Sequence, residues 1–186
     1  GMLADDFPDL PLVERGTSLN LNPLLLSNAI KSTLFASSTD DAKQLLTGVN
    51  LTFDGYGLES AATDGHRLAQ IDIENPGLKE NFTGIIVPKK TVSELRMVLE
   101  NENDDISISI SNNKISFSNN FLTLTSKIVD GTFPDYKRVI PLENDKKLQV
   151  NANEFSEAVD RVSTVSSERS RAVKLSLSSG RLHLSV

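Results

Sequence analysis

The chain has 186 residues, 38% hydrophobic and 24% charged, with no apolar run near eighteen residues, so a helical membrane span and wholesale disorder are excluded and a sizeable core is possible. Zero cysteines exclude disulfides, thiolate metal sites and a cysteine nucleophile, and together with a start that lacks a signal-peptide pattern they suit a cytoplasmic protein. A formal charge of −6 argues against gripping nucleic acid by bulk electrostatics, which needs a basic surface to displace counterions.

The first elements expected are a strand near Leu19 and a helix that Asn22 caps and Pro23 opens. A loop, "DDAKQLL" at 40–46, precedes the strand "LTFDGYGL" from Leu51. Thr63-Asp64-Gly65 then reads as a tight turn between a strand ending near Ala62 and one starting near Arg67. In it Asp64 bonds nearby backbone and Gly65 supplies a positive φ. A second reading remains open: Asp64 and His66, two apart, share one strand face and could form the base of a small hydrolase. Neither a nearby second histidine, nor a glycine-framed serine, nor a phosphate-cradling loop accompanies that pair.

A second helix starts near Pro88, with Val92, Leu95 and Leu99 as its buried row. Lys89 and Lys90 stand at its start, where the macrodipole disfavours cations; they are either a solvated pair or a contact to backbone phosphate. "DISISISNNKISFSNNFLTLTSKIV" is an antiparallel meander, with Ile106, Ile108 and Ile110 inward and turns at Asn112-Asn113 and Asn119-Asn120. "DGTFPDYKRVIP" from Asp130 puts Phe133 and Tyr136 in a loop with two prolines. It is either a linker or a rigid wall for a peptide pocket.

An internal repeat organises these elements. "LNLNPLLLSNAIKSTLFASST" from Leu19 aligns without gaps on "LQVNANEFSEAVDRVSTVSSE" from Leu148, and "LTFDGYGL" resembles "LSLSSGRL" from Leu175. Each copy reads as strand, helix, strand, strand. In the second, Asn151 and Glu154 resemble a capping box, and Phe155, Ala158, Val159, Val162 and Val165 make a face expected to turn to a core. The complete unit, about 17–141, holds two helices and roughly eight strands: an α+β layer architecture with the helices packed on antiparallel sheets. The partial second copy leaves strand edges and a helix face open.

"ATDGHRLA" at 62–69, "IVPKK" at 86–90, "SKIVDGTFPDYKRVIP" at 126–141 and "DDFPDLP" at 5–11 together resemble the beta subunit of bacterial DNA polymerase III, the ring-shaped sliding clamp. The resemblance covers essentially the whole chain. It implies the DNA-clamp fold with a repeated domain: residues 1–15 end the first clamp domain, 16–145 form the middle one, and 146–186 begin the third. It also implies a non-catalytic processivity factor, needing no cofactor or metal, active in the bacterial cytoplasm at the nucleoid. Two protomers close head to tail around double-stranded DNA without sequence preference and without a membrane. A ring that holds DNA by topology tolerates an acidic exterior.

By position, the resemblance gives Thr63, Gly65, His66, Arg67 and Leu68 one wall of a cleft for short peptide motifs of polymerases, the clamp loader and repair proteins. Pro134, Arg138 and Val139 form another wall and Leu46 part of the floor. Lys90, then Lys89, are the residues closest to DNA. Lys43 stands where the family often has arginine, which removes a planar fork of donors. Beside this reading stand the hydrolase and a purely structural β-repeat module.

Overall fold

The computed structural model describes residues 17–74, 81–100, 102–111, 113–166 and 172–186. The expected first-domain tail with "DDFPDLP", and Asn112 of the first meander turn, lie outside them. Chain contacts separate two units, Gly1–Val139 and Ile140–Val186.

In the first unit β1 (Thr17–Leu21) leads to α1 (Pro23–Thr33), then β2 (Gly48–Asp54), β3 (Gly57–Thr63), β4 (Leu68–Glu74) and β5 (Phe82–Pro88). α2 (Lys89–Leu99), β6 (Ile106–Ile110), β7 (Lys114–Ser118) and β8 (Thr123–Lys127) follow. The strands form two antiparallel sheets, β1-β6-β7-β8 and β4-β3-β2-β5. Among the described residues this unit has two α-helices and eight strands, against the two helices and roughly eight strands expected from the patterning.

Local chemistry sets the helix starts. The Asn22 side chain accepts from the Leu24 N–H at 2.9 Å, and Pro23 takes a position whose N–H has no helical partner anyway. Pro88 caps α2 without a side-chain acceptor, and the freed Lys89 N–H finds the Thr47 carbonyl at 3.1 Å instead. Leu26, Ala29 and Ile30 of α1 and Val92, Leu95 and Leu99 of α2 share one core with Val49, Leu51 and Phe53 of β2 and with Ile106, Ile108 and Ile110 of β6. Each of these side chains larger than alanine, fully buried, contributes roughly 1.5–3 kcal/mol. The second meander turn sits one residue later than expected: the Asn119 N–H donates to the Leu122 carbonyl at 3.0 Å, which centres the turn on Asn120 and Phe121.

The second unit holds α3 (Ala152–Ser163), β9 (Lys174–Ser178) and β10 (Arg181–Ser185), the last two paired antiparallel. Asn151 caps α3 by accepting from the Asn153 and Glu154 N–H groups at 3.0 and 3.2 Å. Two expectations fail here. The strand expected near Leu148 does not form, because its counterpart β1 exists through its ladder with β6, and no described strand offers Leu148–Val150 such a ladder. The apolar face of α3 is not a core face either. No α3 residue is buried, Phe155, Ala158, Val159 and Val162 are half-buried, and Val165 lies beyond the helix, 76% exposed.

Candidate functional site

Alternation along β2 and β3 sends Val49, Leu51, Phe53, Leu58 and Ala62 to the helices, so Asn50, Thr52, Glu59, Ala61 and Thr63 face the other way. Both stretches singled out in the sequence, 63–68 and 131–139, are built on that outer face.

Asp64 makes the turn after β3. Its Oδ1 accepts the backbone N–H groups of His66 and Arg67 at 2.9 and 3.0 Å, and its Oδ2 accepts Arg67 Nε at 3.1 Å. Those backbone donors, first His66 and then Arg67, pull the carboxyl from 3.8 down to about 2. The Thr63 hydroxyl donates to the Arg67 carbonyl at 2.7 Å and accepts the Gly65 N–H at 3.0 Å, and Gly65 closes the turn at φ 90°. The turn thus fixes its own backbone and presents its side chains outward. His66 is 85% exposed and its Nδ1 stands 3.9 Å from Asp64 Oδ1. A carboxylate committed to backbone donors, with so low a pKa, does not orient a general base, and the hydrolase reading finds no support in this geometry.

The 131–139 loop is held from beneath. Phe133 and Tyr136 are buried with their rings edge to face at 5.9 Å, and a 3-10 turn spans Tyr136–Val139. The Tyr136 hydroxyl donates to Glu59 Oε1, and Lys137 Nζ donates to Glu59 Oε2 at 2.9 Å. Burial, then the Glu59 carboxylate, pushes the Tyr136 phenol well above its ordinary range; the same carboxylate raises Lys137. With Tyr136 pinned inward, Pro134, Arg138 and Val139 are exposed, and Arg138 Nε pairs with Asp135 Oδ2 at 2.7 Å. Glu59 and Thr63 lie four residues apart on one strand face, roughly 13 Å at the usual rise of about 3.3 Å per residue.

The 3-10 segment Asp41–Leu46 reaches both the Asp64 turn and the Gly131 loop. Lys43 Nζ donates to the Asp64 carbonyl at 3.3 Å, a single point contact where arginine would offer a fork. At its other end Leu45 rests on Gly131: a Cβ there, at φ 122°, would lie 2.6 Å from Leu45 Cδ2. Leu46 is half-buried, and its carbonyl accepts the Ser38 N–H at 2.8 Å. Thr63, Gly65, His66, Arg67 and Leu68 therefore share one turn, Pro134, Arg138 and Val139 share one loop, and the segment carrying Leu46 touches both. Lys89 and Lys90 open α2 in the helix layer and do not join this group.

Three contributors escape sequence reading. Leu45 lies against Gly131; Glu59 anchors the loop; and Phe35, 60% exposed, lies under the Arg67 guanidinium, 5.8 Å from its ring centroid. Among the described residues no three His, Asp or Glu side chains converge as metal ligands, and no helix is long and apolar enough to cross a membrane.

Two family descriptions match the chain: "DNA polymerase III beta subunit, central domain" over residues 20–135, and "DNA polymerase III beta subunit, C-terminal domain" over 137–186. The beta sliding clamp of Caulobacter vibrioides is 38% identical over 187 residues, covering 98% of this chain and 50% of that protein. That of Bacillus subtilis is 33% identical over 177 residues, covering 95% and 47%. A Bartonella birtlesii sliding clamp solved with griselimycin superposes with TM-score 0.90 at 45% identity, over 97% of this chain and 50% of that one. The Bacillus subtilis clamp does so with TM-score 0.89 at 31% identity, over 98% and 49%. The chain thus spans about half the length of the relatives it matches.

Proposed function

The chain belongs to the DNA polymerase III beta subunit family, and from that premise we propose that it carries the partner-docking part of a sliding clamp. The observation behind this reading is the bridge Asp41–Leu46, which ties the Asp64 turn to the Gly131 loop through Lys43 and Leu45. Such a bridge fixes the spacing of two walls, and a preformed groove takes an apolar peptide anchor at little ordering cost. Thr63, Gly65, His66, Arg67 and Leu68 form one wall, Pro134, Arg138 and Val139 the other, and Leu46 with Leu45 the floor. His66 and Arg67 shape and polarise the pocket and transfer no protons.

Within the whole protein, residues 16–145 act as the middle clamp domain and 146–186 as the start of the third. The assembled head-to-tail dimer encircles double-stranded DNA at the nucleoid in the cytoplasm, performs no chemistry of its own, and binds polymerase, clamp-loader and repair proteins through short peptide motifs. Lys90 and Lys89 supply weak phosphate contacts from the helix layer, which suits sliding better than a tight grip.

Fluorescence polarisation of a labelled clamp-binding peptide tests the docking site. Saturable binding to this chain, lost in Leu46→Glu because a charge enters an apolar floor, is the expected result. Binding that Leu46→Glu leaves unchanged would remove the floor from this segment. Absence of binding to both this chain and a full-length clamp carrying it would refute the assignment of the Asp64 turn.

A further inference from the structure

The 3-10 turn that follows α1, Leu34–Ala36, is tied down on both sides. Thr33 before it is fully buried, its hydroxyl 2.9 Å from that of Ser60 on β3. Ala36, Ser37 and Ser38 after it are buried too. The Ser37 N–H donates to the Leu34 carbonyl at 3.1 Å, and the Ser38 N–H donates to the Leu46 carbonyl at 2.8 Å. In the middle of this anchored stretch Phe35 is 60% exposed. An exposed ring on a fixed backbone is a platform, and burial of the ring does not account for it.

Arg67 lies over that platform. Its Cζ stands 5.8 Å from the ring centroid, inside the distance of about 6 Å at which a guanidinium is drawn to an aromatic face. Its Nε donates to Asp64 Oδ2 at 3.1 Å, while its own backbone N–H and carbonyl are held by Asp64 Oδ1 at 3.0 Å and the Thr63 hydroxyl at 2.7 Å. A planar group held by one edge and one face keeps a single orientation. Among the described residues the terminal nitrogens bond no acceptor, so the remaining edge is presented outward.

We propose that Phe35 is a positioning residue of the docking cleft, acting through the Arg67 guanidinium. This role rests on the peptide-docking reading of the Asp64 turn. A guanidinium already fixed when the partner arrives loses little rotamer freedom on binding. Apolar bulk alone would cover the arginine stem equally well with leucine. Attraction to the ring face instead comes from the aromatic quadrupole, strongest for tryptophan.

The test compares the unsubstituted chain with Phe35→Leu, Phe35→Tyr and Phe35→Trp, all checked for folding by their denaturation midpoints. Two quantities are read: the NMR signal of the Arg67 Nε–H, identified by its loss in Arg67→Lys, and the affinity for a labelled clamp-binding peptide. Phe35→Leu should displace the Nε–H signal and weaken the peptide roughly two- to fivefold, and the tyrosine and tryptophan variants should restore the affinity. Leucine that binds as tightly as tyrosine, or leaves the Nε–H signal in place, overturns the role of Phe35 while docking stands. If the unsubstituted chain binds no peptide, the same variants are titrated in a full-length clamp carrying this chain. Absence of binding there as well removes the docking reading, and the role of Phe35 falls with it.

Discussion

Asp64 shows how one side chain can fix a turn and be fixed by it. Its carboxyl titrates near 2 against 3.8 when free, so it binds fewer protons in the folded chain between those values. The stabilisation is fully present above about pH 4 and is lost as pH falls through about 2. Backbone amide signals of His66 and Arg67, followed into acid, should move together with a midpoint near 2; a midpoint near 4 would mean that the Asx-type turn is not formed. Asp64→Ala should destabilise by about 1 kcal/mol, seen as a lowered denaturation midpoint with unchanged slope. Gly131→Ala meets Leu45 at 2.6 Å and a left-handed φ of 122°. Its loss of stability, about 1–3 kcal/mol, should be partly relieved by Leu45→Ala, which removes the clash but not the backbone strain. The Asp64 turn was legible in "TDGHRL" because the bonds that shape its backbone lie within four residues; the Leu45–Gly131 contact was not, because it joins segments 86 residues apart in the sequence.

Between elements, the decisive link is the brace from β3 to the Tyr136–Val139 turn. Glu59 holds Tyr136 and Lys137 at once, so Glu59→Ala frees both anchors and leaves a buried hydroxyl unpaired. A stability loss of about 1–3 kcal/mol is expected. If Pro134, Arg138 and Val139 form a peptide wall, the affinity for a clamp-binding peptide should also fall. Lys137→Ala, at a side chain 62% exposed, should cost no more than about 1 kcal/mol because water screens the pair. Equal effects of the two substitutions would show that the ion pair, not the buried tyrosine hydroxyl, holds the loop. The sequence marks the loop through its prolines and aromatics, but 77 residues separate Tyr136 from Glu59 and no local pattern names the partner.

Across the molecule, burial differs sharply between equivalent repeats. α1 and α3 align without gaps, yet Leu26, Ala29 and Ile30 of α1 are buried whereas no residue of α3 is. Substitutions should report the difference: Leu95→Ala in α2, at 1% exposure, is expected to cost about 2–5 kcal/mol, and Phe155→Ala in α3 well under that. Chemical denaturation of both variants measures it, and a comparable loss at Phe155 would mean that α3 finds a core in solution.

The sequence by itself determined the repeat, the helix starts at Asn22 and Asn151, the isoleucine alternation of β6, the α+β layering and the family. Each is written in short-range chemistry: caps act within three residues, alternation within two, and motifs within a dozen. Only the tertiary structure decided that Leu45 lies against Gly131, that Glu59 carries the loop, that Phe35 lies under Arg67, and that Leu148–Val150 forms no strand. Those outcomes depend on which surfaces meet. A strand needs a neighbour's ladder and an apolar face needs an opposing one, and neither partner can be read from the segment that requires it.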